Sequence, residues 1–137
     1  MYVSGSCHCK SISFEAEIDP AALQLCHCTD CQTLTGSAFR VTVSTEPEKF
    51  KLLSGEPTVY LKIADSGSKR RHAFCGKCGT PVFRMPTENN PNYSLRVGTL
   101  DQRNELHKPR RQIWVERRLP WVVEIGSIKE FEGQGRR

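Results

Sequence analysis

Ile12, Phe14, Ala16 and Ile18 alternate with Ser11, Ser13, Glu15 and Glu17, the period of two that marks a half-buried strand, and Asp19-Pro20 closes the run. Shorter alternations recur at residues 38–43, 58–63, 81–85, 93–97 and 112–115, and each fits β-structure better than helix. Turn-forming residues separate them at 54–57 (Ser54, Gly55, Glu56, Pro57), at 65–68 and at 88–92. Many short strands with punctuated turns predict a mostly β domain. Helix signals are confined to residues 20–25 and 29–34, each two turns at most, with Thr29 or Asp30 as the cap of the second. No linker, repeat or low-complexity stretch interrupts the pattern. Residues 1–131 therefore read as a single domain, and 132–137 as a C-terminal tail whose Arg136 and Arg137 are solvated charge.

Composition supports an ordinary globule. The chain has 137 residues, 37% hydrophobic and 26% charged, enough apolar surface for one adequate core. No apolar run approaches the roughly 18 residues that span a bilayer, and the start at Met1 lacks a basic, then apolar, secretory signal. The expectation is a soluble cytoplasmic protein without a membrane partner. Charge is unevenly placed: residues 1–68 carry −3, 69–100 carry +5 and 101–137 carry +3. A basic second half suits either nucleic acid or a small anionic substrate.

Seven cysteines change the picture. An odd count cannot pair completely, and a reducing cytosol does not keep structural disulfides, so metal ligation is the economical reading. They fall into Cys7-x-Cys9, Cys26-x-Cys28-x-x-Cys31 and Cys75-x-x-Cys78, the last bent by Gly76 and Gly79. Thiolates at such spacing converge on one zinc, and tetrahedral zinc closes with four protein ligands while a catalytic zinc keeps one position open. Seven divides as four plus three. The simplest partition joins Cys7, Cys9, Cys75 and Cys78 in a closed structural site and leaves Cys26, Cys28 and Cys31 as an open one. The alternative is that His8, His27 or His72 completes a second closed site.

These motifs, together with residues 5–9, 35–39, 74–79, 97–101 and the late 113–121 stretch, resemble the glutathione-dependent formaldehyde-activating family, which includes the centromere protein V domain. The resemblance runs in the same order over roughly residues 3–131. It implies several small coiled antiparallel sheets stapled by zinc, with few short helical turns. It also implies two zinc ions per chain, structural on Cys7, Cys9, Cys75 and Cys78 and catalytic on Cys26, Cys28 and Cys31. The implied activity is a carbon–sulfur lyase or synthase that joins a small thiol such as glutathione to a small aldehyde, formaldehyde. Two positions depart from the family: Lys10 stands where glycine is common, and Gln112 where histidine is frequent.

A three-cysteine zinc suits that chemistry, because coordination deprotonates a thiol whose free pKa is about 8.5. Glutathione carries two carboxylates, so its pocket needs fixed positive charge; Lys69, Arg70 and Arg71, just before the Cys75 turn, are the candidate contacts, with Trp114 as a wall. His27, between two ligating cysteines, is the candidate proton carrier. The competing class is a zinc-stapled nucleic-acid, chromatin or protein-interaction module without catalysis. Against nucleic acid, Phe74, Phe83 and Tyr93 form no interleaved basic–aromatic platform, and no recognition helix follows Cys78.

Overall fold

The alternation at 11–18 becomes β2 (Ser13–Glu17), which lies between β1 (Tyr2–Ser6) and β5 (Phe50–Ser54) in a three-stranded antiparallel sheet. The structure is a computed structural model in which residues 1–135 are described. Arg136 and Arg137, the expected solvated charges of the tail, lie outside the described residues.

A second sheet has seven strands. They are β3 (Gln24–Cys26), β4 (Arg40–Thr45), β6 (Thr58–Ile63), β7 (Lys69–Phe74), β8 (Pro81–Met85), β9 (Tyr93–Arg96) and β10 (Arg111–Ile113). Their spatial order is β10-β3-β4-β9-β8-β7-β6, antiparallel throughout except for the parallel pair β10–β3. The domain is thus mostly β, with one α-helix among the described residues, α1 (Thr29–Thr35), and several short 3-10 turns. No helix among the described residues is long and apolar enough to cross a membrane.

The helix expected over 20–25 does not form. Asp19 instead caps a turn, accepting from the Ala21 amide at 2.9 Å, and Gln24, Leu25 and Cys26 are bonded on both sides, to β4 and to β10. Six ladder residues outcompete a local preference that spans barely two turns. The second helical signal is realised as α1, but its cap is Cys28, whose sulfur accepts from the Cys31 amide, rather than Thr29 or Asp30.

The core sits between the two sheets. Phe14 is fully buried and stacks on Phe50 and edge-on to Phe83, both at 5.6 Å, while Phe50 stacks on Tyr93 at 3.9 Å. Burying one such ring stabilises the fold by about 2–3 kcal/mol. Gly5 faces Phe14 across β1–β2, and a Cβ there would lie 2.3 Å from the ring, so only glycine lets β1 close over it.

Register sorts the larger sheet into two faces of opposite character. Val43, Leu95, Phe83 and Ala73 pair in one row across four strands, and all are buried on the core side. The neighbouring row points away: Arg96 stands opposite Thr42, Arg84 opposite both Ser94 and His72, His72 opposite Tyr60, and Arg70 opposite Lys62. Arg40 on β4 continues the row to Cys26 on β3. Helix α1 lies toward this polar face, tied to it by the Asp30–Lys62 ion pair.

Candidate metal centres and the adjoining cleft

The first group of sulfurs is assembled by two hairpin turns. Between β1 and β2 the chain doubles back, with the Cys7 amide on the Ile12 carbonyl (3.1 Å) and the Ile12 amide on the Cys7 sulfur (3.2 Å). Lys10 adopts a left-handed backbone there, φ 68°. That is the conformation glycine takes without penalty. Between β7 and β8 the Gly79 amide closes on the Cys75 carbonyl (2.8 Å), and the amides of Lys77 and Cys78 turn toward the Cys75 sulfur at 3.4 and 3.5 Å.

Those turns bring Cys7, Cys9, Cys75 and Cys78 together with all four sulfurs within 4.8 Å of one another. Cys9 is 3.7 Å from both Cys7 and Cys75. Four thiolates at about 2.3 Å from a tetrahedral zinc are separated by about 3.8 Å, whereas disulfide sulfurs lie about 2.05 Å apart. The group therefore fits a metal and not a disulfide. Ser11 and Thr80 belong to it although the sequence did not single them out. The Ser11 hydroxyl lies 3.1 Å from Cys9 and 3.3 Å from Cys75, and that of Thr80 lies 3.2 Å from Cys78. The Thr80 hydroxyl, helped by the Cys9 and Thr80 backbones, pulls the Cys78 thiol down to about 5, and Ser11 lowers Cys75. Both shifts favour the thiolates a metal needs.

The second group comprises Cys26 at the end of β3, Cys28 at the α1 cap and Cys31 in its first turn, again with sulfurs within 4.8 Å of one another. Hydrogen bonding from Cys31, then from the Cys28 backbone, and the charge of Arg40 hold Cys26 down to about 5. Cys31, buried and holding the shared proton, is pushed up. Three converging sulfurs, one of them already held low, fit a soft divalent metal. Among the described residues neither group includes a histidine, so the alternative second site closed by His8, His27 or His72 is not formed.

His27 is placed away from solvent and from the cleft described below. Its ring is fully buried 5.5 Å from Phe39, and Nε2 lies 2.8 Å from the Gln112 Oε1. Nδ1 is buried without a protein partner among the described residues. The His27 amide bonds the Ile113 carbonyl, and Gln32 Nε2 donates both to the His27 carbonyl (2.8 Å) and to that of Arg117 (2.9 Å). Gln112 is thus the partner of the histidine between two cysteines. The arrangement fixes the turn that carries Cys26 and Cys28, and His27 is not among the residues that line the cleft.

Beside the triad lies a cleft of about 320 Å³ lined by Leu34, Arg40, Tyr60, His72, Phe74 and Arg96, among others. Arg40 is the cross-strand partner of Cys26, and Leu34 follows Cys31 by one helical turn. Arg96 Nη2 donates to His72 Nδ1 at 3.0 Å. Burial, followed by the charges of Arg96 and Arg40, pushes His72 down to about 3, so it is a neutral acceptor. The residues expected to supply positive charge do not line the cleft. Lys69 and Arg71 are exposed on the opposite side of β7, Arg70 is half-buried against Ser68 and the Lys69 carbonyl, and Trp114 is 53% exposed with φ 56°. Arg40 and Arg96 take their place, with Arg84 outside the lining on the next strand, β8. Each stands alone among apolar strand neighbours, and a lone arginine in a buried strand is the signal that identifies such a residue.

Comparison with known proteins follows the same lines. A family model described as glutathione-dependent formaldehyde-activating enzyme matches residues 2–117. Among solved structures, a crystal structure of a Rhodobacter sphaeroides protein is similar, with a TM-score of 0.61 and 20% identity, covering 80% of this chain and 98% of that one. That likeness shows a shared fold. A search of curated proteins finds no match.

Proposed function

The chain belongs to the glutathione-dependent formaldehyde-activating enzyme family, and from that membership we propose that it forms or breaks the carbon–sulfur bond of a thiol–aldehyde adduct. The observation that carries the reading is a group of three cysteines, without a fourth protein ligand among the described residues, set against a cleft large enough for a small organic molecule. Cys26, Cys28 and Cys31 would hold a catalytic zinc, and Cys7, Cys9, Cys75 and Cys78 a structural one. A metal bound by three thiolates supplies the acidity that keeps a substrate thiol ionised at neutral pH.

In the forward direction the thiol sulfur adds to the aldehyde carbon. A carbon–sulfur bond forms, the carbonyl π pair moves to oxygen, and that oxygen takes up one proton to give the hydroxymethyl thioether. The reverse returns aldehyde and thiol. The chain's own contributions are positional. Helix α1 fixes Cys28 and Cys31 one turn apart, β3 fixes Cys26, and the His27–Gln112 bond holds the turn between them. Leu34, Tyr60 and Phe74 line the cleft beside them, and their apolar surface limits water there. His27 is accordingly proposed as a positioning residue. A reducing compartment, the cytoplasm, keeps all seven thiols available.

Cobalt substitution tests the reading. Two metals per chain are expected, and glutathione should alter the absorption bands of one of them. Carbon-13 formaldehyde mixed with glutathione should show faster adduct exchange with the zinc-loaded protein than without it. Cys28→Ser should abolish that acceleration and leave the circular dichroism unchanged. Full acceleration by the variant would overturn the proposal.

A further inference from the structure

The polar face of the seven-stranded sheet holds more positive charge than the protein neutralises. Arg40 and Arg96 are each only 8% exposed, and Arg84 is half-buried beside them. Buried guanidinium groups are rare and costly unless paired with an anion. The ion pairs found among the described residues are Lys49–Glu46 and Lys62–Asp30, so none of these three arginines meets a carboxylate. Their hydrogen bonds are also incomplete. Arg96 reaches His72 and the Ser94 carbonyl, and Arg84 reaches Asn90, but Arg40 Nε, Arg96 Nε and Arg84 Nη1 are buried donors without a protein partner. Arg40 and Arg96 line the cleft, and Arg84 lies on the next strand, opposite Ser94.

Like charges on adjacent strands depress one another: Arg96 is lowered from its usual range by burial and then by Arg40 and Arg84. The three-cysteine group, net −1 with a divalent metal, offsets one of these three buried charges, and an anionic ligand would offset the rest. The rest of the lining limits that anion. Leu34, Tyr60, Phe74 and Pro81 are largely apolar, and a cleft of about 320 Å³ admits a compact organic molecule rather than a polymer backbone.

We propose that Arg40 and Arg96, supported by Arg84, form a carboxylate clamp beside the three-cysteine group, so that one of the two reactants is a carboxylic acid. The planar guanidinium fork matches a carboxylate with paired hydrogen bonds. His72 keeps the Arg96 fork in place by accepting from Nη2, which leaves Nε free for the ligand. The proposal rests on the thiol–aldehyde reading of the same cleft and adds the group that orients the reactant. The carboxylate belongs either to the thiol or to the aldehyde, and the clamp chemistry is shared by the two.

Calorimetric titration of the zinc-loaded protein separates these sources. S-methylglutathione presents both carboxylates of glutathione without a free thiol, and glyoxylate presents a carboxylate on an aldehyde. Binding of the first assigns the acid to the thiol, and binding of the second assigns it to the aldehyde. Whichever binds should bind at least tenfold more tightly than its ethyl ester, a comparison that needs no variant. Arg96→Gln should weaken it tenfold or more, and Arg40→Gln likewise, with metal content and circular dichroism checked for each. Equal affinity for acid and ester, or no binding of either acid, would overturn the clamp. Cysteamine, a thiol without a carboxylate, is titrated separately into the cobalt protein. If it shifts the cobalt bands while neither acid binds, the clamp fails and the functional reading stands. If an acid binds and no thiol perturbs the metal, the functional reading fails alone.

Discussion

Arg40 and Cys26 stand directly opposite one another on β4 and β3, so a buried guanidinium lies beside a sulfur of the three-cysteine group. Three thiolates and a divalent cation carry a net charge of −1, and the arginine offsets it in a region that water enters poorly. Its charge already lowers the Cys26 thiol. Groups that support metal ligands in this way contribute about 10- to 100-fold in affinity. Arg40→Met, which keeps the volume and removes the charge, should release zinc from one site about tenfold more readily in a chelator titration, with the other site unchanged. Identical release curves would show that Arg40 does not act on the metal.

The two cysteine groups should differ in what they do for folding. Cys75 is buried and joins the β7–β8 turn to the β1–β2 turn, whereas Cys28 sits at the cap of a seven-residue helix. Loss of a metal ligand ranks among the few single changes that cost more than about 4 kcal/mol, against a total stability of about 5–15 kcal/mol. Cys75→Ser is expected to unfold the domain or lower its melting temperature by more than 15 °C or so. Cys28→Ser should move it by only a few degrees. Equal losses in thermal scans would contradict the division into structural and catalytic sites.

Lys10 adopts the left-handed conformation with φ 68°, at a cost of about 1–2 kcal/mol for a residue with a Cβ. Its side chain gains only an exposed hydrogen bond from Nζ to Ser6 at 3.1 Å. Glycine loses part of the benefit through its freer unfolded chain. Lys10→Gly should therefore stabilise the zinc-loaded protein by about 0.5–1 kcal/mol, read from urea midpoints at constant slope. Destabilisation would mean that the lysine charge matters to the adjacent sulfurs more than its backbone strain does.

His72 links the cleft to acid stability. Its ordinary value is about 6.5 and burial, with Arg96 next, pushes it down to about 3. Below about pH 6.5 the unfolded chain takes the proton while the folded chain does not. The unfolded state thus binds more protons throughout the window from about 6.5 to about 3, and folding stability falls as pH falls through it. His72→Asn keeps an acceptor for Arg96 Nη2 and does not titrate. The drop in urea midpoint between pH 7 and pH 5.5 should be smaller in that variant than in the parent; an equal drop would place the acid sensitivity elsewhere.

Period-two alternation located β2, β4, β6, β8, β9 and β10; in β2 it reflects two unlike environments, while in β6, exposed on nearly every residue, it is carried by the sequence alone. It did not locate β3, three residues long and inside a helical pattern, or β5, where Lys51, Leu52 and Leu53 are all exposed and leave no alternation to see. Pairing partners are also invisible to a local pattern: nothing near Arg111 foretells that it lies parallel to Gln24. Cysteine spacing carried the metal groups, since ligands two or three residues apart must converge on one ion whatever the surrounding fold. The anion-facing arginines were missed for the opposite reason. Charge density drew attention to residues 69–71, yet a strand sends neighbours to opposite faces, so density on one strand cannot fill a cleft. The effective arginines come singly from β4, β8 and β9, and only register aligns them.

The two cysteine groups also differ in when they become complete. Cys26, Cys28 and Cys31 leave the ribosome together, but Cys9 must wait for Cys75, 66 residues later. At roughly 5–20 residues per second that wait lasts on the order of 3–13 seconds. During it the nascent chain offers Cys7 and Cys9 alongside the newly made triad, enough sulfurs for a wrong foursome. A zinc captured in that combination would tie β1 to β3 and block both sheets from closing. With zinc as the bound ion, correct metallation would depend on ligand exchange remaining fast until β7 and β8 have paired. The availability of zinc during synthesis, and not only its final affinity, would then determine how much correctly assembled protein results.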